Sequence, residues 1–116
     1  MTTFNRKYLL AGMAGVMAAG ISAGAMAADI RVGITMRMIS ENGQRYGQMV
    51  MDEFDMINKA GGINGNMIKA TLMNDECKSD KGVANAVKLV NQQKVHLLIG
   101  STCSSVSLPI VDVTAK

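Results

Sequence analysis

VHLLIGSTCSSVSLP, residues 95–109, decides how the rest of the chain is read. Residues 95–99 read as a short buried strand, Gly100 ends it, and residues 101–107 make a hydroxyl-rich loop. Pro109 then opens a helix. A strand that runs through a small-residue loop into a helix start leaves backbone N–H groups beside serine hydroxyls, which suits a carboxylate or another anion. The same residues also read as a plain solvated loop between strand and helix. What lies upstream separates the two readings.

Immediately before this stretch, residues 80–93 read as a helix capped by Ser79 or Asp80, with Val83, Ala86, Val87 and Val90 as its apolar stripe. Residues 74–79, NDECKS, form the loop ahead of it, and residues 67–73, MIKATLM, a second strand. Residues 63–66 are a tight connection in which Gly65 is free to take a positive φ. Residues 44–60 place Tyr46, Met49, Val50, Phe54, Ile57 and Ala60 at helical spacing, with Asp52, Glu53, Asp55 and Lys59 on the other side. Gly61 and Gly62 stop that helix. Its Met49, Met51 and Met56 read as adaptable core packing in preference to copper ligands. A turn over residues 40–43 leads back to residues 29–36, DIRVGITM, a first strand with Ile30, Val32 and Ile34 on one face. Beyond Pro109, residues 110–116 begin a third helix.

The order β-α-β-α-β-α with short connections predicts an α/β fold, a parallel βαβαβ(α) three-layer sandwich with right-handed crossovers. The loops that follow the strands then share the carboxyl edge, where such sheets bind ligands. Ser40, Cys77, Cys103 and Ser104 are expected along that edge.

The start of the chain has a different character. Arg6 and Lys7 precede an uncharged Ala/Gly/Met-rich run, and Ala25-Met26-Ala27 offers small residues at the two positions a signal peptidase reads. Residues 1–27 are expected to be a cleaved secretory signal, and the periplasm is the destination this implies. The competing reading is an uncleaved membrane anchor, which the many alanines and glycines make a weakly hydrophobic one. Loss of Arg6 and Lys7 lowers the formal net charge from +3 to +1, so the basic balance is mostly a targeting effect. With no basic run and 3% aromatic residues, nucleic-acid binding has no compositional support. Two cysteines in a small secreted domain are usually paired, and a Cys77–Cys103 bond would add roughly 3–4 kcal/mol in the chain-entropy treatment. A metal site with His96 as third ligand is the alternative, but the spacing matches no zinc pattern. Residues 28–116 suffice for one small core and are expected to be an incomplete lobe of a longer protein.

Several features in register resemble the type I periplasmic solute-binding proteins of ABC importers, and among them the leucine/isoleucine/valine group. They are the DIRVGI strand after the leader, the Tyr46-Gly47 pair, INKAGGINGN over residues 57–66, NDECKSD over residues 74–80 and IGSTCSS over residues 99–105. The resemblance implies a two-lobed clamshell that closes over a small solute, an amino acid first of all, and presents it to a membrane permease. It implies that Ser104, with Ser105 beside it, and backbone N–H groups hold the ligand carboxylate, and that Tyr46 and Ser40 contribute to the pocket. It also implies a Cys77–Cys103 disulfide joining two edge loops. Family members often carry Ser-Gly-Pro in the first loop, whereas here Ser40 is followed by Glu41 and Asn42, with Arg37 just before. If Arg37 or Glu41 faces the cleft, a charged, amide or urea-type solute becomes the candidate ligand.

No enzyme is expected. His96 is the only histidine and sits in an apolar stretch, which favours a packed imidazole over a catalytic one. A dinucleotide enzyme would carry Gly-x-Gly-x-x-Gly after the first strand, and GITMRMIS has one glycine, inside the strand. No cofactor is implied. The ligand-sensing domain of a signalling system on the same fold is the rival reading.

Overall fold

The computed structural model describes residues 27–115. The leader expected over residues 1–27 therefore lies outside the described residues up to residue 26. The elements are β1 (Ile30–Met36), α1 (Glu41–Lys59), β2 (Ile68–Asn74), α2 (Ser79–Val87), β3 (Leu97–Ile99) and α3 (Ser104–Thr114), with a π-helical turn at Lys88–Gln92 continuing α2. The strands form one parallel sheet in the order β2-β1-β3. Ile30 of β1 pairs with Ile68 of β2, and Val32 with Leu97 of β3.

Alternation along β1 sends its side chains to two different layers. Val32, Ile34 and Met36 are buried with Ile68 and pack against Val50, Met51, Phe54 and Ile57 of α1. Gly33 and Thr35 face the other way, where Leu89 fills the space a Cβ on Gly33 would need and Asn85 reaches the Thr35 hydroxyl. Above that face, Ala86 of α2 packs with Val106 and Ile110 of α3. The result is the expected three-layer α/β arrangement, with α1 on one face and α2 and α3 on the other.

The helices differ from expectation in instructive ways. α1 starts at Glu41 because Ser40 caps it, accepting the Gly43 N–H at 3.3 Å, so the expected turn over residues 40–43 is the first helical turn. Its inner face is Gly47, Val50, Met51, Phe54 and Ile57, while Tyr46, Met49 and Met56 are 51%, 52% and 55% exposed. Only Met51 of the three helix methionines packs against the core, and Met49 and Met56 do not. In α2 the N-cap is Lys78, which makes no side-chain cap bond, and neither Ser79 nor Asp80 caps. Its buried positions are Gly82, Asn85 and Ala86, followed by Leu89 in the π-helical turn, while Val87 is exposed.

The third strand is shorter than expected and lies at an edge of the sheet, with Leu97 54% exposed. His96 precedes it and is not packed among apolar side chains. It is exposed, donates its backbone N–H to the Arg31 carbonyl at 2.8 Å, and accepts the Arg31 N–H on Nδ1 at 3.1 Å. Among the described residues no helix is long and apolar enough to cross a membrane.

Candidate ligand-binding edge

The first strand lies in the middle of the sheet, with β2 on one side and β3 on the other. Successive strands are therefore added on opposite sides of β1, and the loops leaving β1 and β3 flank the switch point where doubly wound sheets bind ligands. Residues 37–40 leave β1, residues 75–78 leave β2 and residues 100–103 leave β3.

The serine-rich stretch folds into less loop and more helix than its composition indicated. α3 begins at Ser104, so Pro109 lies inside the helix and does not open it. A proline there has no N–H for the carbonyl four residues back, at Ser105. That carbonyl accepts the Ser79 hydroxyl instead, at 2.7 Å, which ties the start of α3 to the start of α2.

The hydroxyls divide into two sets. Ser101 Oγ accepts the Cys103 N–H at 3.1 Å, and Ser107 Oγ donates to the Ser101 carbonyl at 2.7 Å, so both hold the loop itself. Ser104 and Ser105 are exposed, and their hydroxyls bond to no other group among the described residues. Val106 and Ser107 give their N–H groups to the Cys103 carbonyl, both at 3.0 Å. The N–H groups of Ser104 and Ser105 precede those first bonds and carry the positive end of the helix dipole. Two hydroxyls and two N–H groups are thus gathered at one helix start, a set suited to an anion.

Cys77 and Cys103 form a disulfide, with their Cα atoms 5.7 Å apart. The bond links the loops after β2 and β3 directly before α2 and α3. Ser40 is exposed on the loop after β1, and Tyr46 follows in the second turn of α1. Glu41 is exposed and bonded to Arg45 at 2.9 Å, one helical turn on, while Arg37 is exposed at the end of β1.

A polar cluster that sequence patterning overlooked lies beneath the edge. Asp75 is fully buried and accepts the Cys77 N–H at 2.8 Å and the Thr35 hydroxyl at 3.2 Å. Asn74 Oδ1 accepts two N–H groups, from Met38 and Glu76, each at 2.9 Å. Asn85 Nδ2 donates to Thr35 Oγ1 and to the Asn74 carbonyl, both at 3.1 Å. The Asn-Asp pair directly after a strand was the available signal, since both residues favour side-chain turns onto the backbone two residues ahead. On the surface nearby, Lys81 and Lys78 both bond the Glu76 carboxylate and hold it below the ordinary glutamate range, the Lys81 hydrogen bond being the larger cause.

Two grooves open elsewhere. One of about 310 Å³ follows the outer edge of β3, between Val90, Val95, Leu97 and Thr114, and one of about 390 Å³ runs between Val83, Val87, Pro109 and Val113 on α2 and α3. Neither is lined by Ser40, Tyr46, Ser104 or Ser105. Among the described residues no group of three or more His, Cys, Asp or Glu side chains could hold a metal ion.

Residues 30–116 match the family described as periplasmic binding protein. The chain belongs to that family. An amino acid binding protein of Pseudomonas aeruginosa is 34% identical over 113 residues, which is 95% of this chain and 29% of that protein. The leucine-specific-binding protein of Salmonella typhimurium is 35% identical over 87% of this chain and 28% of its own length. Among solved structures, the branched-chain amino acid transporter substrate binding protein LivJ of Streptococcus pneumoniae, in complex with isoleucine, shares the fold with a TM-score of 0.68. It is 22% identical and matches 75% of this chain and 26% of that one. The chain spans less than a third of the length of the curated relatives it matches. These relatives are named for binding solutes, which agrees with the absence of an expected catalytic set. The sheet and its flanking helices form part of a type I periplasmic-binding-protein lobe.

Proposed function

We propose that this chain supplies the first part of one lobe of a periplasmic receptor that binds a branched-chain amino acid by its carboxylate and delivers it to the permease of an ABC importer. The observation that carries the reading is the pair of exposed serines, Ser104 and Ser105, at the start of α3 beside the switch point of the sheet. In this reading the ligand carboxylate takes those hydroxyls and N–H groups, Ser40 and Tyr46 lie along the ligand, and the Cys77–Cys103 bond fixes the loop that carries the serines. Residues 1–27 act as the cleaved leader that brings residues 28–116 to an oxidising compartment, which supports both the disulfide and the periplasmic setting. A second lobe closes over the solute, as ligand affinity in a clamshell requires.

Calorimetric titration of leucine, isoleucine and valine into the full-length secreted protein tests this. The expected result is micromolar affinity for at least one of them and about a tenfold loss on Ser104→Ala, the scale of one hydrogen bond to a charged group. No heat with any amino acid, or a Ser104→Ala protein that binds like the parent, would overturn the assignment.

A further inference from the structure

Asp75 is fully buried and forms no ion pair among the described residues, whose lysines in this loop bond Glu76 instead. A carboxylate in such a place is costly unless its oxygens are hydrogen-bonded, and both are. The residues that follow explain what those bonds achieve. Glu76 and Cys77 are consecutive non-glycine residues at φ of 52° and 58°, the left-handed region that L side chains disfavour. Asn74 Oδ1 holds the Glu76 N–H and Asp75 Oδ1 holds the Cys77 N–H, two successive side-chain turns that stabilise that backbone. The turn brings Cys77 to Cys103. The second bond on Asn74 Oδ1 comes from Met38, in the loop that carries Ser40.

We propose that Asn74 and Asp75 are the positioning pair of the ligand edge, setting the Ser40 loop through Met38 and the Ser104–Ser105 helix start through Cys77 and its disulfide, without touching ligand. The inference rests on the reading that solute binds at this edge. Each residue acts along its own route. Asn74 works through one oxygen shared by two loops, and Asp75 works through the Cys77 backbone and then the covalent bond.

The test uses the full-length protein with its disulfide formed, leucine as the probe, and amide exchange at Met38, Glu76 and Cys77 as a second readout. Asn74→Ala is expected to weaken leucine binding about tenfold and to speed exchange at Met38 and Glu76. Asn74→Asp keeps an oxygen for both N–H groups and is expected to restore affinity and protection together. Asp75→Ala is expected to weaken binding about tenfold when the disulfide is present, and less than about twofold in a Cys77→Ser, Cys103→Ser background, because the route is already cut. If Asp75→Ala does not fold, Asp75→Asn keeps the acceptor for the Cys77 N–H and is expected to bind within about threefold of the parent. Equal losses in Asn74→Ala and Asn74→Asp, or an Asp75 effect that is the same with and without the disulfide, would overturn the proposal. If the parent protein binds no amino acid, the functional reading fails by itself. Exchange at Met38 and Cys77 then decides the positioning role: unchanged protection in Asn74→Ala and Asp75→Ala overturns it, and lost protection sustains it.

Discussion

Pro109 has no N–H to offer the Ser105 carbonyl, and the Ser79 hydroxyl takes the vacant place at 2.7 Å. The pairing explains why a proline sits in the second turn of α3 without disrupting it, and why Ser79 is not the cap of its own helix. Ser79→Ala is expected to destabilise the fold by about 1 kcal/mol, since it leaves a carbonyl with no protein partner. In a Pro109→Ala background residue 109 recovers an N–H, and the same Ser79→Ala change is expected to cost about half as much or less. Urea unfolding of the four proteins reads this directly, and additive effects would show that the two residues do not share the carbonyl. Glu76 supports a second prediction at this scale. Its carboxyl lies below the ordinary value of 4.5, so its bonds to Lys81 and Lys78 stabilise the fold above that pH and lose their effect as pH falls through the lowered folded value. An NMR titration is expected to show Glu76 titrating below the ordinary glutamate value of 4.5, and Lys81→Met is expected to move it back toward that value.

The two helices on the far face meet where Gly82 of α2 approaches Val106 of α3 so closely that a Cβ on residue 82 would overlap the valine side chain. Gly82→Ala is therefore expected to push α2 and α3 apart and to destabilise by about 1–3 kcal/mol, even though alanine is the better helix former. Chemical denaturation checks it, and a stabilised Gly82→Ala protein would mean the helices do not pack this closely. The same contact shows what could be read in advance. Apolar spacing found the existence and order of every element, because β1 and α1 carry strong periods of two and between three and four. Of the expected α2 stripe, Val83, Ala86, Val87 and Val90, the structure buries Ala86 fully and exposes Val87, and apolar spacing passed over Gly82 and Asn85 because it counts apolar side chains only. Gly82 is buried for its smallness and Asn85 for its bonds to Thr35 and Asn74. Similarly, Pro109 suggested a helix start by its usual place at N1, a rule that fails when another group satisfies the carbonyl it abandons. Polar burial and close backbone approach leave little trace in hydrophobic periodicity, and the Asn74–Asp75 cluster was missed for the same reason.

Across the whole sheet the two edges are unequal. On the β2 side the exposed Lys69 interrupts the outer strand, a charge of the kind that discourages pairing with another chain. On the β3 side, Leu97–Ile99 pairs only with β1 among the described residues, and Leu97 is 54% exposed beside the groove lined by Val90, Val95 and Leu98. An apolar edge strand with a free row of N–H and C=O groups is a template for a further strand. Residues 28–116 studied alone are therefore expected to self-associate through β3. Sedimentation should show the average mass rising with concentration, and Leu97→Lys should weaken the association about fivefold or more while changing stability by less than about 0.5 kcal/mol. Val111, 56% exposed on α3, provides the control. If association came merely from apolar surface, Val111→Lys would reduce it as strongly as Leu97→Lys. If it comes from the unpaired edge, only the change on β3 has a large effect, because only there does a charge meet an incoming strand.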